Sequence, residues 1–419
     1  MKDTVAVILA AGRGTRMKSK TPKVLHEVLG KPIIEYVFEA LDDAGISDII
    51  TVAGYGSDLL KEKFPGADVV IQKELLGSGD AVRTAKKALS KYSGDIIVIC
   101  GDTPLVRGES IRALVAKHKN TSSSATILTA RVKDPTNYGR IVRDDNGAVI
   151  KIVEELEAPL YEKVIDEVNV GTYCFKAGEL FRALDEVRSD NAKKEFYLTD
   201  VINVLHKEGK TVESVELADP SEMTGINTRK DLAESTRIMK LRIMDELISS
   251  GVTVQDPAST TVYPGVKIGE DTVIYPNTFI ESDVEIGKGC RIGPFARIHP
   301  KVRIGNNVEI GNFVELNRTR IGDNTKVKHH VYLGDATVGA GVNIGAGVIT
   351  ANYDGKNKNP TLIEDKAFIG VGAILIAPVK VGKSAIVGAG CVVTKKHNVP
   401  KGATVVGIPA RVIKRKVQN

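Results

Sequence analysis

An unbroken apolar run over residues 5–10 opens the chain and empties into Ala11, Gly12, Arg13, Gly14, Thr15 and Arg16, with Pro22 and Lys23 a few positions on. Such a run without alternation predicts a strand buried on both faces, and the glycines after it predict a turn. Runs at 49–53, 69–71, 96–100 and 126–130 have the same character, and 3.6-residue spacing marks helices around 33–44 and 80–90. Strands alternating with helices predict a parallel sheet wrapped by helices, whose ligands gather at the carboxyl ends of the strands. Over 226–250 the spacing of Leu232, Ile238, Met239, Leu241, Ile243 and Leu247 among charges predicts one helix that joins two domains and ends at Gly251.

Beyond that helix the period changes. Val262, Ile268, Ile274, Ile280, Ile286, Ile292, Ile298, Ile304, Ile310 and Leu316 fall at steps of six, with small or β-branched residues four positions after each but the last. The count resumes at Ile363 and runs by sixes through Ile369, Leu375, Val381, Val387, Val393 and Val399 to Val405, after an insertion at 352–362. A hexad repeat of this kind predicts a left-handed parallel β-helix, in which each hexad makes one short strand and three hexads close a triangular coil.

Composition narrows the functions available. At 419 residues, 42% hydrophobic and 26% charged, the chain is long enough for two or three globular domains. A net charge of +6, no tryptophan and no basic cluster interleaved with aromatics fit small anionic substrates better than a nucleic-acid partner. Cys100, Cys174, Cys290 and Cys391 form no CxxC or zinc spacing, which predicts reduced, buried thiols. There is no apolar run of membrane-spanning length and no signal-peptide pattern, so no membrane partner and a cytoplasmic location are expected.

The candidate chemistry starts in the first loop. Small residues at 11, 12 and 14 let backbone N–H groups approach phosphate oxygens, and Arg16 and Lys23 supply charge for a triphosphate. Neither a Walker A loop nor a GxGxxG fingerprint has this spacing. A lone glycine pair also reads as an ordinary strand-to-helix turn, but two flanking cations and a proline-fixed lysine favour phosphate. Gln72 follows a strand and offers both a donor and an acceptor for a pyrimidine edge. Asp102, in the turn GDTPL after the run 96–100, suits a magnesium ion bridging phosphates, or is a plain turn aspartate.

LAAGRGTRM followed by TPKVL resembles the signature of the sugar-phosphate nucleotidyltransferases. Over nearly the whole chain the sequence is similar to the bacterial bifunctional family that makes UDP-N-acetylglucosamine. That family joins an N-acetylglucosamine-1-phosphate uridylyltransferase to a glucosamine-1-phosphate acetyltransferase. The resemblance implies a nucleotide site of Leu9, Ala10, Ala11, Gly12, Lys23, Gln72, Gly77 and Ser78, with Arg16 and Lys23 catalytic. It implies Mg²⁺ held by Asp102 and by Asn227 of GINTR, and a sugar site of Gly139, Glu154, Asn169, Tyr197 and Thr199. UTP and acetyl-CoA are the implied substrates and a homotrimer the implied assembly.

In the repeat, the residues that break the pattern carry the chemistry. KHHVYLGDATVGAGVNIGAG resembles the acetyltransferase half of the family, and the resemblance makes His329, three residues before Tyr332, the general base on the sugar amine. The implied acceptor and coenzyme A residues are His299, Asn317, Tyr332, Asn343, Ala346, Asn352, Tyr353, Val371 and Arg411. Lys380, Lys383, Arg411, Lys414 and Arg415 add positive charge for coenzyme A. His299 and Asn317 stand where the family pattern has an arginine and a lysine, expected to grip the acceptor's phosphate. His299 in protonated form, or Arg291, Arg297 and Arg318 rearranged, could take over that contact.

The predicted fold class is an α/β, Rossmann-like nucleotidyltransferase domain over 1–225, a linker helix over 226–250, an all-β left-handed parallel β-helix of hexapeptide repeats over 251–410 and a basic tail over 411–419. Two other readings stay open at this point: a uridylyltransferase whose β-helix acylates another amino sugar, and one whose repeat is only a trimerisation or regulatory module.

Overall fold

The computed structural model describes residues 3–413, so Lys414, Arg415 and most of the expected basic tail lie outside the described residues. The chain divides into two compact units after Thr236, and the helix Arg229–Ser249 runs through the division point.

In the first unit the central strand Thr4–Ala10 pairs in parallel with Ile49–Ala53 on one side and with Asp95–Cys100 on the other. Asp68–Ile71 extends the sheet beyond Ile49–Ala53. Ala6, Val7, Ile8, Ile96, Ile97, Val98 and Ile99 are wholly buried, because helices cover both faces and leave no polar face to pattern. The expectation of an all-parallel sheet needs correction. Glu167–Lys176 lies antiparallel between Asp95–Cys100 and Ala125–Arg131, and Val212–Glu216 closes that edge parallel to Ala125–Arg131. Hydrophobic runs carry no direction; the connection sets it. The link out of Ala125–Arg131 passes through the hairpin Arg140–Arg143 and Val149–Val153 with no crossover helix along the sheet, so the chain re-enters from the same end and runs back. The loops after Ala10, Ile71 and Cys100 therefore stay together at one end of the parallel strands, where the helices Ile33–Asp43 and Ser78–Ala85 begin their returns.

The second unit is a three-sided parallel β-helix. Two- to four-residue strands pair with strands one coil away, Val262 with Ile280, Ile280 with Ile298 and Ile286 with Ile304, and the strand Arg411–Ile413 folds back antiparallel on Thr404–Val406. The hexad positions point inward, with Val262, Ile274, Ile280, Ile292 and Ile298 fully buried, joined by Val284, Cys290, Val302 and Val308 four positions later in the pattern. Each such side chain contributes on the order of 1.5–3 kcal/mol by leaving water, and a stack of them holds the coils together without long-range sheet pairing. Met244 and Leu247, from the end of the helix Arg229–Ser249, join this core.

The coil is not uniform, and its irregularities share one corner. A full coil takes eighteen positions, as from Ile286 to Ile304, but Ile304 pairs with Ile321 and Ile321 with Val338, each seventeen on. The missing residues fall after Leu316 and after Leu333, and the insertion falls after Thr350, so three successive passes of the same corner depart from the hexad. Within the insertion Tyr353 bridges to Lys358, and the ladder resumes at Thr361–Ile363.

Candidate active sites

Two cavities open at the loop end of the first unit. The smaller, about 340 Å³, is lined by Leu9, Ala10, Ala11, Gly12, Lys23, Gln72, Gly77 and Ser78, together with Leu75 and Glu195. The structure thus brings every residue assigned to the nucleotide around one space. Gly77 can serve there only as glycine: its φ is +112°, and a Cβ would stand 2.6 Å from the Phe196 carbonyl oxygen. Gly14 (φ +59°) is equally constrained, since a Cβ would meet that of Lys23 at 2.7 Å, and this close approach lets the lysine fold over the loop.

The larger cavity, about 870 Å³, is lined by Gly139, Glu154, Asn169 and Tyr197. Asn169 donates from Nδ2 to the Tyr173 hydroxyl at 2.7 Å and accepts the Gly171 N–H at 3.1 Å, so its amide orientation is fixed. The Tyr197 hydroxyl is buried without a hydrogen-bond partner among the described residues, and burial, followed by the charge of Glu154, pushes its pKa up to about 12. A neutral phenol held dry beside a cavity is a donor waiting for a ligand oxygen. Two sugar- or phosphate-side expectations need adjusting. Thr199 does not line the cavity: it is buried and its hydroxyl donates to Glu154 Oε1 at 3.0 Å, which aims the carboxylate. Arg16, expected beside Lys23 on the triphosphate, is exposed and lines the larger cavity.

The cavities meet at Cys100 and Asp102, which line both. Lys23 pairs with Asp102 Oδ2 and donates to Asn227 Oδ1 at 3.1 Å. Two oxygens from residues far apart in sequence therefore converge on one cation, the donor set a hard divalent ion prefers when phosphate oxygens complete its shell. Asp231, which sequence reasoning missed, accepts from the N–H groups of Asn227 and Thr228 at 2.9 and 2.8 Å and sets the Asn227 position. Its signal was readable as an acidic residue in the first turn of a helix. Burial holds the Cys100 thiol up at about 12, so it acts as a small apolar wall between the cavities.

A carboxyl near the sugar cavity makes a pH-dependent prediction. Desolvation, then the charges of Glu154, Asp190 and Glu157, raise Asp200 to about 6. A carboxyl whose pKa is higher folded than unfolded stabilises the fold fully below its unfolded value of about 4, and that contribution is lost as pH rises through about 6. Asp200→Asn is therefore expected to melt with the wild type near pH 4 and above it near pH 8, measured by calorimetry of the full chain. A variant that melts lower at both pH values refutes this account.

In the second unit His329 ends the strand Lys326–His329, is exposed, and pairs through Nδ1 with Asn312 Oδ1 at 2.8 Å. Asn312 lies one coil below in register with His329 and was missed from sequence; an Oδ1 partner requires N–H on Nδ1 and leaves the Nε2 lone pair for a proton. Tyr332 starts the next strand and stacks in register on Glu315. Asn343 sits one coil above Lys326, the Ala346 carbonyl accepts from Gly372 N–H at 2.7 Å, and Val371 and Tyr353 are 59% and 62% exposed.

The irregular corner carries a network. Arg318 grips Asp335 with Nε at 2.6 Å and Nη2 at 2.9 Å, and donates to Asn317 Oδ1 at 2.7 Å, while Asn352 donates to the same Asp335. The Arg318 guanidinium holds Asp335 below the usual carboxylate range. His299 lies between Glu281, 3.1 Å from Nδ1, and Glu315, 2.8 Å from Nε2, and Arg297 also pairs with Glu281. His299, Arg297 and Arg318 thus each meet a carboxylate of this chain, which corrects the picture of free positive charge at this corner, while Arg291 is exposed on the strand Arg291–Ile292. Lys380 and Lys383 likewise pair with Glu364 and Asp365, whereas Arg411 is exposed. All four cysteines are free.

The mixed sheet with its double cavity and the three-sided coil define a nucleotidyltransferase fused to a hexapeptide-repeat transferase coil. The Nucleotidyl transferase family model matches residues 5–220, the Bacterial transferase hexapeptide model 283–318 and the Hexapeptide repeat of succinyl-transferase model 360–395, in keeping with a left-handed coil. The proteins named Bifunctional protein GlmU from Pelotomaculum thermopropionicum, Carboxydothermus hydrogenoformans and Bacillus subtilis are 47%, 44% and 44% identical to it. The alignments cover 90%, 95% and 94% of this chain and 90%, 96% and 94% of those proteins. The chain belongs to the GlmU family of bifunctional proteins.

Proposed function

We propose that this chain makes UDP-N-acetylglucosamine in two steps on two sites: acetyl transfer from acetyl-CoA to glucosamine-1-phosphate in the coil, and uridylyl transfer from UTP to N-acetylglucosamine-1-phosphate in the first unit. The observation that carries the reading is the junction at Asp102, where a nucleotide-side and a sugar-side cavity meet under the Lys23 ammonium. In the first unit the sugar phosphate oxygen attacks the α-phosphorus of UTP in line, the bond to the bridging oxygen breaks, and pyrophosphate leaves. Loop amides at 11–14 and Lys23 bind the departing phosphates, Gln72 and Gly77 hold the base, and Glu154, Asn169 and Tyr197 hold the sugar. Asp102 and Asn227 are the residues fitted to hold Mg²⁺, which when bound supplies charge neutralisation across the phosphates. Positioning supplies most of the remaining rate.

In the coil His329 Nε2 takes a proton from the sugar amine as its nitrogen adds to the thioester carbonyl. The tetrahedral oxyanion then collapses, the carbon–sulfur bond breaks, and the departing sulfur takes the proton held on His329, so coenzyme A leaves as the thiol. Tyr332, Asn343, Asn352 and Tyr353 form the acceptor side, and the exposed Val371 and Arg411 the coenzyme side. Hexad coils pack side by side, and Phe295, Phe313 and Phe368, each about half exposed, supply apolar surface for that packing; the reading includes a homotrimer in the cytoplasm.

The test uses one purified preparation. Thiol release from acetyl-CoA should require glucosamine-1-phosphate, and pyrophosphate release from UTP should require N-acetylglucosamine-1-phosphate. Silence in the first assay with full activity in the second would overturn the acetyl-transfer half of this reading and leave the coil with another acceptor or a scaffold role.

A further inference from the structure

Gln72 is 5% exposed at the wall of the smaller cavity. Its Nε2 donates to Asp80 Oδ2 at 2.7 Å and to the Gly77 carbonyl at 3.3 Å. A carboxylate and a carbonyl only accept, so the partners themselves decide which end of the amide is nitrogen, and Oε1 is the atom the side chain presents to the cavity. Beside it, Gly77 and Ser78 open the helix Ser78–Ala85, whose first N–H groups have no intrahelical acceptor. The wall therefore reads acceptor next to donor.

We propose that Asp80 is a positioning residue for base choice: by holding the Gln72 nitrogen it forces an acceptor toward the base and so selects uracil over cytosine. The inference rests on the uridylyl reading of this cavity. Uracil offers a donor, N3–H, next to an acceptor, O4, and matches Gln72 Oε1 and a backbone N–H. Cytosine offers N3 as acceptor next to its 4-amino donor, the reverse order, and would leave both protein groups unpaired in a buried site. Such mismatches are rejected strongly because the site's own polar groups lose their partners. Without the Asp80 carboxylate, the longer 3.3 Å bond to the Gly77 carbonyl is what remains on Nε2, and the Gln72 amide can turn and offer nitrogen instead. Thymine shares both features with uracil, so Asp80 gives no discrimination between UTP and dTTP.

The experiment compares wild type, Asp80→Asn and Asp80→Ala in the full chain, with pyrophosphate release measured as kcat/KM for UTP, CTP and dTTP at saturating sugar phosphate. The ratio of UTP to CTP should fall about tenfold or more in both variants, while the ratio of UTP to dTTP stays at the wild-type value. A ratio cancels any loss of folded enzyme, so general damage to the loop does not imitate this result. An unchanged UTP to CTP ratio in both variants overturns the role of Asp80 and leaves the uridylyl site standing, as does a wild type that uses the two equally. A wild type that releases no pyrophosphate from UTP overturns the site's reading itself.

Discussion

His329→Ala is expected to lower acetyl transfer by about 10²–10⁴-fold, the usual worth of a positioned general base, and to leave uridylyl transfer at the wild-type rate. The side chain is exposed at a strand end and belongs to no core cluster, so its removal opens no cavity and costs the fold little. Its chemistry depends on one hydrogen bond. With Asn312 Oδ1 at 2.8 Å accepting the Nδ1 proton, Nε2 is the ring nitrogen left with a free lone pair. Asn312→Ala should accordingly lower acetyl kcat by a smaller factor with the acetyl-CoA KM little changed. Both rates are read on the same preparation by thiol and pyrophosphate release. Loss of both activities together would point to misassembly, and retention of acetyl transfer would remove His329 from the mechanism.

Asp102→Asn, nearly the same shape without the charge, should cost uridylyl transfer about 10²–10³-fold, the range for removing one preorganised electrostatic group, and spare acetyl transfer. Asp102 stands where the two cavities meet and shares the Lys23 ammonium with Asn227. Its loss weakens any divalent ion at that point and leaves Lys23 with a neutral partner. Raising Mg²⁺ should recover part of the rate in the variant if the carboxylate acts by binding the ion. Full activity at ordinary Mg²⁺ would mean that Asp102 is only a turn residue.

Much of this was legible before any coordinates. Hexad spacing matches a three-sided coil, because one six-residue face then supplies one inward residue, and the ladder from Val262 to Leu316 follows it, buried except for the half-buried Ile268. The end of the run at 5–10 and the loop after it line the smaller cavity, at the carboxyl end of a parallel strand as the alternation of strands and helices predicts.

What resisted reading were quantities that depend on two distant segments at once. The sequence determined the periods, the turn residues and the residue types available at each loop, because these follow from local backbone and burial rules. Tertiary structure alone decided the antiparallel direction of Glu167–Lys176, the support of Asn227 by Asp231, the coupling of Gln72 to Asp80, and the engagement of Arg318 and His299 by carboxylates. Hydrogen bonds and ion pairs act over about 3 Å between groups whose separation along the chain carries no signal, so folding has to bring them together before their partners are fixed.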